Sequence, residues 1–309
     1  MSPGADPGLD RVLEALGSRL GEVQGEPQPL EGGITNRNYR LRAGGADYVL
    51  RMPGKDTELL GIDRQAECRA TEIAARAGVA PEVAAWLPEV GCLVTRFVPG
   101  APVGTERLRE PAVLAEVAAR LRAIHTGPPL PTAFSAFRVV EAYRDSALAR
   151  GASVPAAYDD ALALARRIEP ALSGPGHEPV PCHNDLLCAN FIAQGERIWI
   201  VDWEYAGMGD RWFDLANLSI NNEFGDEDDA HLLQAYFQAP ADARGFACLR
   251  LLRAMSDFRE AMWGVVQSTV SELDFDFAAY ADEHFERLAQ TAADPRLERW
   301  LQEAHGDPA

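Results

Sequence analysis

The chain has 309 residues, 47% apolar and 25% charged, which is the balance of a globular protein with material for two lobes and excludes a disordered, collagenous or disulfide-built chain. Its 29 Lys and Arg face 47 Asp and Glu, and the resulting net charge of −18 disfavours nucleic acid and anionic membrane surfaces as partners. The 5 cysteines form no CxxC pair or zinc-like spacing, so they are expected reduced and mostly buried; with no leader-like start and no long apolar run, a cytoplasmic protein is expected.

Asp6-Pro7 offers a helix start, and Leu9, Val12, Leu13, Leu16 and Leu20 follow at helical spacing. Three short extended runs come next: one ending at Leu30, one over Asn38 to Arg42, and one over Tyr48 to Met52 after the turn at Gly44-Gly45. They predict an antiparallel meander. A helix is predicted from Ile62 to Ala77, closed by Gly78. Strands over Glu82 to Leu87 and Cys92 to Val98 complete a first lobe, 1–98, and Pro99-Gly100-Ala101-Pro102 reads as a hinge. The second lobe, 99–309, is expected to be mostly helical, with helices over Pro111 to His125, Val139 to Arg150 and Pro155 to Ile168. Val180 to Asp202 interrupts it with a loop and a hairpin that turns at Gln194-Gly195-Glu196.

The polar residues of that interruption carry the chemistry. His183-Asn184-Asp185, then Asn190, then Asp202 at the end of the hairpin supply a carboxylate for an attacking hydroxyl and two hard oxygen ligands for Mg²⁺. Taken singly, His183 reads as a structural histidine bracing the loop, Asp185 as a loop cap and Asp202 as a turn residue. Taken together, an HxDxxxxN loop followed by a strand-terminal Asp resembles the catalytic and metal loops of the protein-kinase-like fold. Upstream, Glu31 to Asn38 contains two glycines that would let backbone N–H groups approach phosphate, although alone it reads as an ordinary hairpin. Arg51 on the third strand and Glu67 on the following helix repeat the cation–carboxylate pairing that holds phosphates, with a planar, bidentate Arg where kinases use Lys.

On these residues the chain is similar to the choline/ethanolamine kinase group of the aminoglycoside phosphotransferase superfamily, from about Leu30 to Leu288. The resemblance rests on Gly32-Gly33-Ile34-Thr35-Asn36-Arg37-Asn38-Tyr39, Tyr48 to Gly54, His183 to Phe191, Asp202-Trp203-Glu204-Tyr205-Ala206-Gly207 and Phe213-Asp214-Leu215-Ala216-Asn217. It implies an α+β, protein-kinase-like bilobal fold: an antiparallel sheet with one main helix in the N-lobe and a helical C-lobe. It also implies ATP and Mg²⁺ as cofactors, Asp185 as base, and Asn190, Asp202 and Glu204 around the metal. Gly33, Thr35, Asn36, Asn38, Arg51, Glu67 and Phe97 would face the nucleotide, and Asp214 would anchor the catalytic loop.

The resemblance extends to Trp263-Gly264-Val265-Val266-Gln267, where such kinases place aromatic rings around a quaternary ammonium. The second Trp of those enzymes is here Glu260. Glu260, Trp263 and Gln267 share one helical face and are candidates for the acceptor site, although on propensity alone Trp263 reads equally as core and Glu260 as a solvated charge. The expected activity is transfer of the γ-phosphoryl group of ATP to the hydroxyl of an amino alcohol such as choline or ethanolamine. The alternatives are an aminoglycoside or other hydroxylated metabolite as acceptor, or a non-catalytic nucleotide-binding regulator. A hydrolase built on His183, Asp185 and Asp202 fits poorly, because the remaining histidines form no metal-binding pair; His125 reads simply as a helix-end residue.

Overall fold

The computed structural model describes residues 7–30, 36–174, 176–271, 273 and 275–305. Helix α1 (Pro7–Leu20) buries Val12 and Leu16 of its apolar stripe against a sheet formed by β1 (Val23–Leu30), β2 (Asn36–Ala43), β3 (Ala46–Pro53), β4 (Val83–Leu87) and β5 (Cys92–Arg96). The strand order is β1-β2-β3-β5-β4, antiparallel throughout. The β2–β3 hairpin turns through Gly44 and Gly45 at φ 53° and 83°, and a Cβ on Gly44 would lie 2.1 Å from the Leu20 carbonyl oxygen. Glycine is required there on both counts.

The period-2 alternation of β3 decides what each face does. Tyr48, Leu50 and Met52 point into a small core with Val12 and Leu16, while Val49 and Arg51 line a cleft on the opposite face. Asn38, Arg51 and Leu93 stand in register across β2, β3 and β5 and all line that cleft.

Helix α2 (Arg64–Arg76) starts at Arg64 rather than at the expected Ile62, because Asp63 accepts the Gln65 and Ala66 amides and sets the N-cap. The expected hinge ends as a strand. Residues Ala101–Pro102 form β6, which pairs with β8 (Phe191–Gln194), so closely that a Cβ on Gly100 would lie 2.2 Å from the Ala193 oxygen.

Beyond β6 the chain is helical: α3 (Thr105–Leu108), α4 (Pro111–His125), α5 (Ala136–Ala149) and α6 (Ala157–Ala171), then α7 (Arg211–Asn221), α8 (Asp226–Phe237), α9 (Ala243–Val270), α10 (Phe277–Ala292) and α11 (Leu297–Ala304). Strand β7 (Val180–Cys182) pairs with β10 (Gly207–Gly209), and β8 forms the expected hairpin with β9 (Arg197–Ile200). Helix α9 is buried all round through its middle, packed against α5, α7, α10 and α11, and so can carry side chains into the interior. One continuous apolar core runs from Leu60 and α2 through to α11. No disulfide joins the cysteines; Cys68, Cys92, Cys182 and Cys248 are buried and Cys188 is partly so. Among the described residues no helix is long and apolar enough to cross a membrane.

Candidate active site

The loop after β7 is held from behind. Asp214, in the first turn of α7, accepts the backbone amides of His183 (2.8 Å) and Asn184 (2.6 Å), and Asn217 accepts that of Leu186 (2.5 Å). His183 is fully buried; its Nε2 donates to the Val201 carbonyl (2.9 Å), which leaves Nδ1 to accept the Asp185 amide (3.2 Å). Burial lowers its pKa, and the neutral ring braces the loop, as expected from its type. Asn184 takes the left-handed conformation at φ 68°, bending the chain so that Asp185 faces forward.

His125 is the last residue of α4, as expected, and it is buried there, with Nε2 donating to Asp214 (3.0 Å) and Nδ1 meeting the Tyr236 hydroxyl (2.6 Å). Cys182 lies close to both His125 and Asp214, an arrangement with metal-site spacing. His125 and Asp214 already bond to each other, Asp214 also holds the loop, and burial pushes the Cys182 thiol far up, so they form a structural node.

In front of the loop lies an ionic cluster. Arg51 Nη1 donates to Asp202 Oδ1 (2.5 Å) and Glu67 Oε1 (3.0 Å), confirming the strand–helix pairing. Arg64 Nη1 donates to Glu67 Oε2 (2.8 Å) and Glu204 Oε2 (2.9 Å), and Asn36 Nδ2 also reaches Glu204 (2.8 Å). Three carboxylates therefore share two guanidiniums. Burial, with the Asp202 charge beside it, pushes Glu204 up to about 7, whereas Arg51 holds Asp202 below its ordinary value against the effect of burial.

Asn190 and Asp202 fit a magnesium ion by donor chemistry. Asn190 spends its Nδ2 on the Asp185 carbonyl (2.8 Å), which fixes the carboxamide and leaves Oδ1 as a hard oxygen ligand. Asp202 stands at φ 69°, a left-handed position that turns its carboxylate out of the strand toward the cleft it lines.

That cleft encloses about 330 Å³ between the sheet and β8. Val49, Leu93, Phe97 and Ile192 give it an apolar end; Arg51, Glu67 and Asp202 give it a charged one. Asn38 and Phe97 both line this cleft. Asn36 is not among the lining residues, and its amide donates to Glu204. Gly33 and Thr35 lie outside the described residues.

On the other side of Asp185 is a second buried group. Arg259 Nη1 donates to Asp185 Oδ1 (3.1 Å) and to Glu260 Oε1, and its guanidinium lies over the Tyr205 ring at 4.4 Å. Tyr280 donates to Glu260 Oε2 (2.9 Å), and Trp263 Nε1 donates to the Tyr205 hydroxyl (3.1 Å). Glu260 is therefore not a solvated charge: both its oxygens are engaged. Gln267 is buried a turn further along, outside this hydrogen-bonded set. Burial pushes the Asp185 carboxyl up to about 7, with Glu260 and Asp202 adding to the rise and Arg259 opposing it.

Sequence reasoning missed Arg64, Arg259, Tyr205 and Tyr280 as members of the site. Arg64 stands three residues before Glu67 on α2, a spacing that could have found it. Arg259 had no such signal, since it adjoins Glu260 and meets Asp185 only through the fold.

Known proteins of similar sequence and fold are phosphotransferases. The family model described as "Phosphotransferase enzyme family" matches residues 26–252. A choline/ethanolamine kinase family protein of Mesorhizobium loti is 34% identical, with 96% of this chain and 99% of that one covered at a TM-score of 0.82. Ethanolamine kinase 2 of Mus musculus is 28% identical over 89% of this chain and 78% of its own. The choline kinase LicA of Streptococcus pneumoniae, at 24% identity, 93% and 99% coverage and a TM-score of 0.78, shares the fold. With the kinase-like α+β architecture and the loop geometry in place, the chain belongs to the phosphotransferase enzyme family, in its choline/ethanolamine kinase group.

Proposed function

We propose that the protein transfers the γ-phosphoryl group of ATP, with Mg²⁺, to the hydroxyl of a small amino alcohol such as ethanolamine or choline. The observation that carries this reading is the position of Asp185. One half-buried carboxylate, on a loop braced by Asp214 and Asn217, stands between a cleft with a charged end and a group of acid and aromatic side chains.

In this reading residues 1–98 supply the nucleotide lobe and 99–309 the catalytic and acceptor machinery. The adenine occupies the apolar end beside Phe97, and Arg51 turns from Asp202 toward the phosphates. Asn190 and Asp202 would hold the metal, with Glu204 behind them; the ion would neutralise charge on the phosphates. Asp185 accepts the acceptor's hydroxyl proton as that oxygen bonds to the γ-phosphorus, while the bond from the γ-phosphorus to the bridging oxygen breaks and ADP leaves. A carboxyl with a pKa near neutrality suits that proton transfer. Such a reaction on water-soluble substrates fits the cytoplasmic setting expected from the sequence.

The test is ADP release with a panel of amino alcohols and aminoglycosides, with the product identified by phosphorus NMR. A phosphomonoester of an amino alcohol, formed only with magnesium, supports the reading. Turnover of aminoglycosides alone, or nucleotide binding without turnover of any alcohol, overturns it.

A further inference from the structure

An amino alcohol with its hydroxyl at Asp185 carries its nitrogen only two carbons away. The nitrogen therefore falls among the side chains that surround the base on the face turned from the cleft. Those are Arg259, Tyr205, Glu260, Tyr280 and Trp263. The features that attract a cation in this set are the π face of Tyr205, a carboxylate oxygen of Asp185 and the carboxylate of Glu260. All three are already taken by one guanidinium of the chain itself.

We propose that Arg259 is a built-in cation that fills the ammonium position beside the base, so that the acceptor site rejects a quaternary ammonium alcohol and selects one that presents N–H donors. This deepens the amino-alcohol reading above and rests on it. The burial of Arg259 supports the assignment: its side chain is 1% exposed, and its Nε finds no acceptor among the described residues. The guanidinium is placed by the Tyr205 ring and by the Asp185 and Glu260 carboxylates together, with Nε left over. A trimethylammonium group needs an open π face and offers no N–H to share an oxygen with Arg259. A primary ammonium can bond to the remaining lone pairs of a carboxylate that already accepts from arginine. Discrimination of this kind comes from a repulsive element as much as from an attractive one.

Removing Arg259 alone would leave Asp185 and Glu260 buried without their cation, so the informative variant is Arg259→Met/Glu260→Gln, which removes both charges of the pair and retains an oxygen for Tyr280. The control is Glu260→Gln alone. The readout is the ratio of kcat/KM for choline to that for ethanolamine, in which any general loss from a disturbed Asp185 cancels. Wild type is expected to favour ethanolamine, and the double variant to raise the ratio by at least about tenfold while the single variant does not. A wild-type preference for choline, an unchanged ratio in the double variant, or an equal rise in Glu260→Gln overturns the proposal. If wild type turns over neither alcohol, the amino-alcohol reading fails, and calorimetry with tetramethylammonium chloride decides this one separately. Binding to the double variant at least about tenfold tighter than to wild type supports it; equal affinity, or binding to neither, overturns it.

Discussion

The two sides of Asp185 are built on one plan and differ in how firmly they are locked. Toward the cleft, Asp202, Glu67 and Glu204 share Arg51 and Arg64; away from it, Asp185 and Glu260 share Arg259. Each side has one more carboxylate than guanidinium, so each has room for one further positive charge. Arg51 lines an open cleft, and in the proposed reading it would exchange its bond to Asp202 for phosphate if a metal took the carboxylate. Arg259 is enclosed by Tyr205, Glu260 and the base, and no comparable exchange is open to it. In the proposed reading the same charge arithmetic gives a switchable cation on the nucleotide side and a fixed one on the acceptor side.

The comparison is broken most severely at the residue both sides share. Asp185→Asn should lower kcat by about 10²–10⁴ while nucleotide affinity and fold persist, because the proton acceptor is lost whereas an amide oxygen remains to accept from Arg259. Coupled ADP release with calorimetry checks it, and a wild-type rate would remove Asp185 from the role of base. On the cleft side, Asp202→Ala should make ATP bind with the same affinity with or without magnesium. Titration of both proteins in the presence and absence of the ion decides that point, since a retained magnesium dependence would place the metal elsewhere.

Behind the loop the effect falls on stability. Asp214→Ala strips the His183 and Asn184 amides and the His125 ring of their acceptor. A cost of about 3–5 kcal/mol is expected, read by denaturant unfolding, as for a broken buried charge network. An unfolding midpoint equal to wild type would mean that the loop holds itself.

The pH profile sharpens the same point at smaller amplitude. Asp185 accepts a proton only when ionised, and its pKa is raised to about 7, so kcat/KM should climb with pH through that value and level off above it. A flat profile through the neutral range would mean that proton transfer is not limited by this group.

The smallest effect is chemical labelling. Burial pushes the thiols of Cys68 up to about 11 and of Cys92 and Cys248 up to about 12, whereas Cys188 is partly exposed. A thiol reagent at neutral pH should modify Cys188 first, and bound nucleotide should slow it because the neighbouring Ala189 lines the cleft. Peptide mapping with and without nucleotide reads both results.

Much of the catalytic loop was legible because its parts are close in the chain. His183, Asp185 and Asn190 lie within one short loop, Asp202 ends the next hairpin, and the hydrogen bonds that fix them follow from that spacing. Helix α4 matched its expected span because Pro111 opens it and its apolar period is regular. Other boundaries moved where a cap or a partner strand outweighed periodicity: α2 waits for Asp63, and Ala101–Pro102 is drawn into a ladder with β8. The bond from Asn36 to Glu204 had no local signal, because the two lie 168 positions apart.

What the sequence determined by itself was the order of the main elements, the polarity of each face and the candidate reacting groups, all of which depend on local spacing and side-chain chemistry. Only the tertiary structure decided which charges meet. Arg259 and Asp185 are 74 positions apart, Arg51 and Asp202 are 151 apart, and neither pair leaves a periodic trace. Buried ion pairs are set by where two backbones come to rest, and in a low-dielectric interior a partner's arrival determines whether a carboxylate is a ligand, a base or a structural counterion. The choice between an open ammonium site and one already filled by arginine was made at that level.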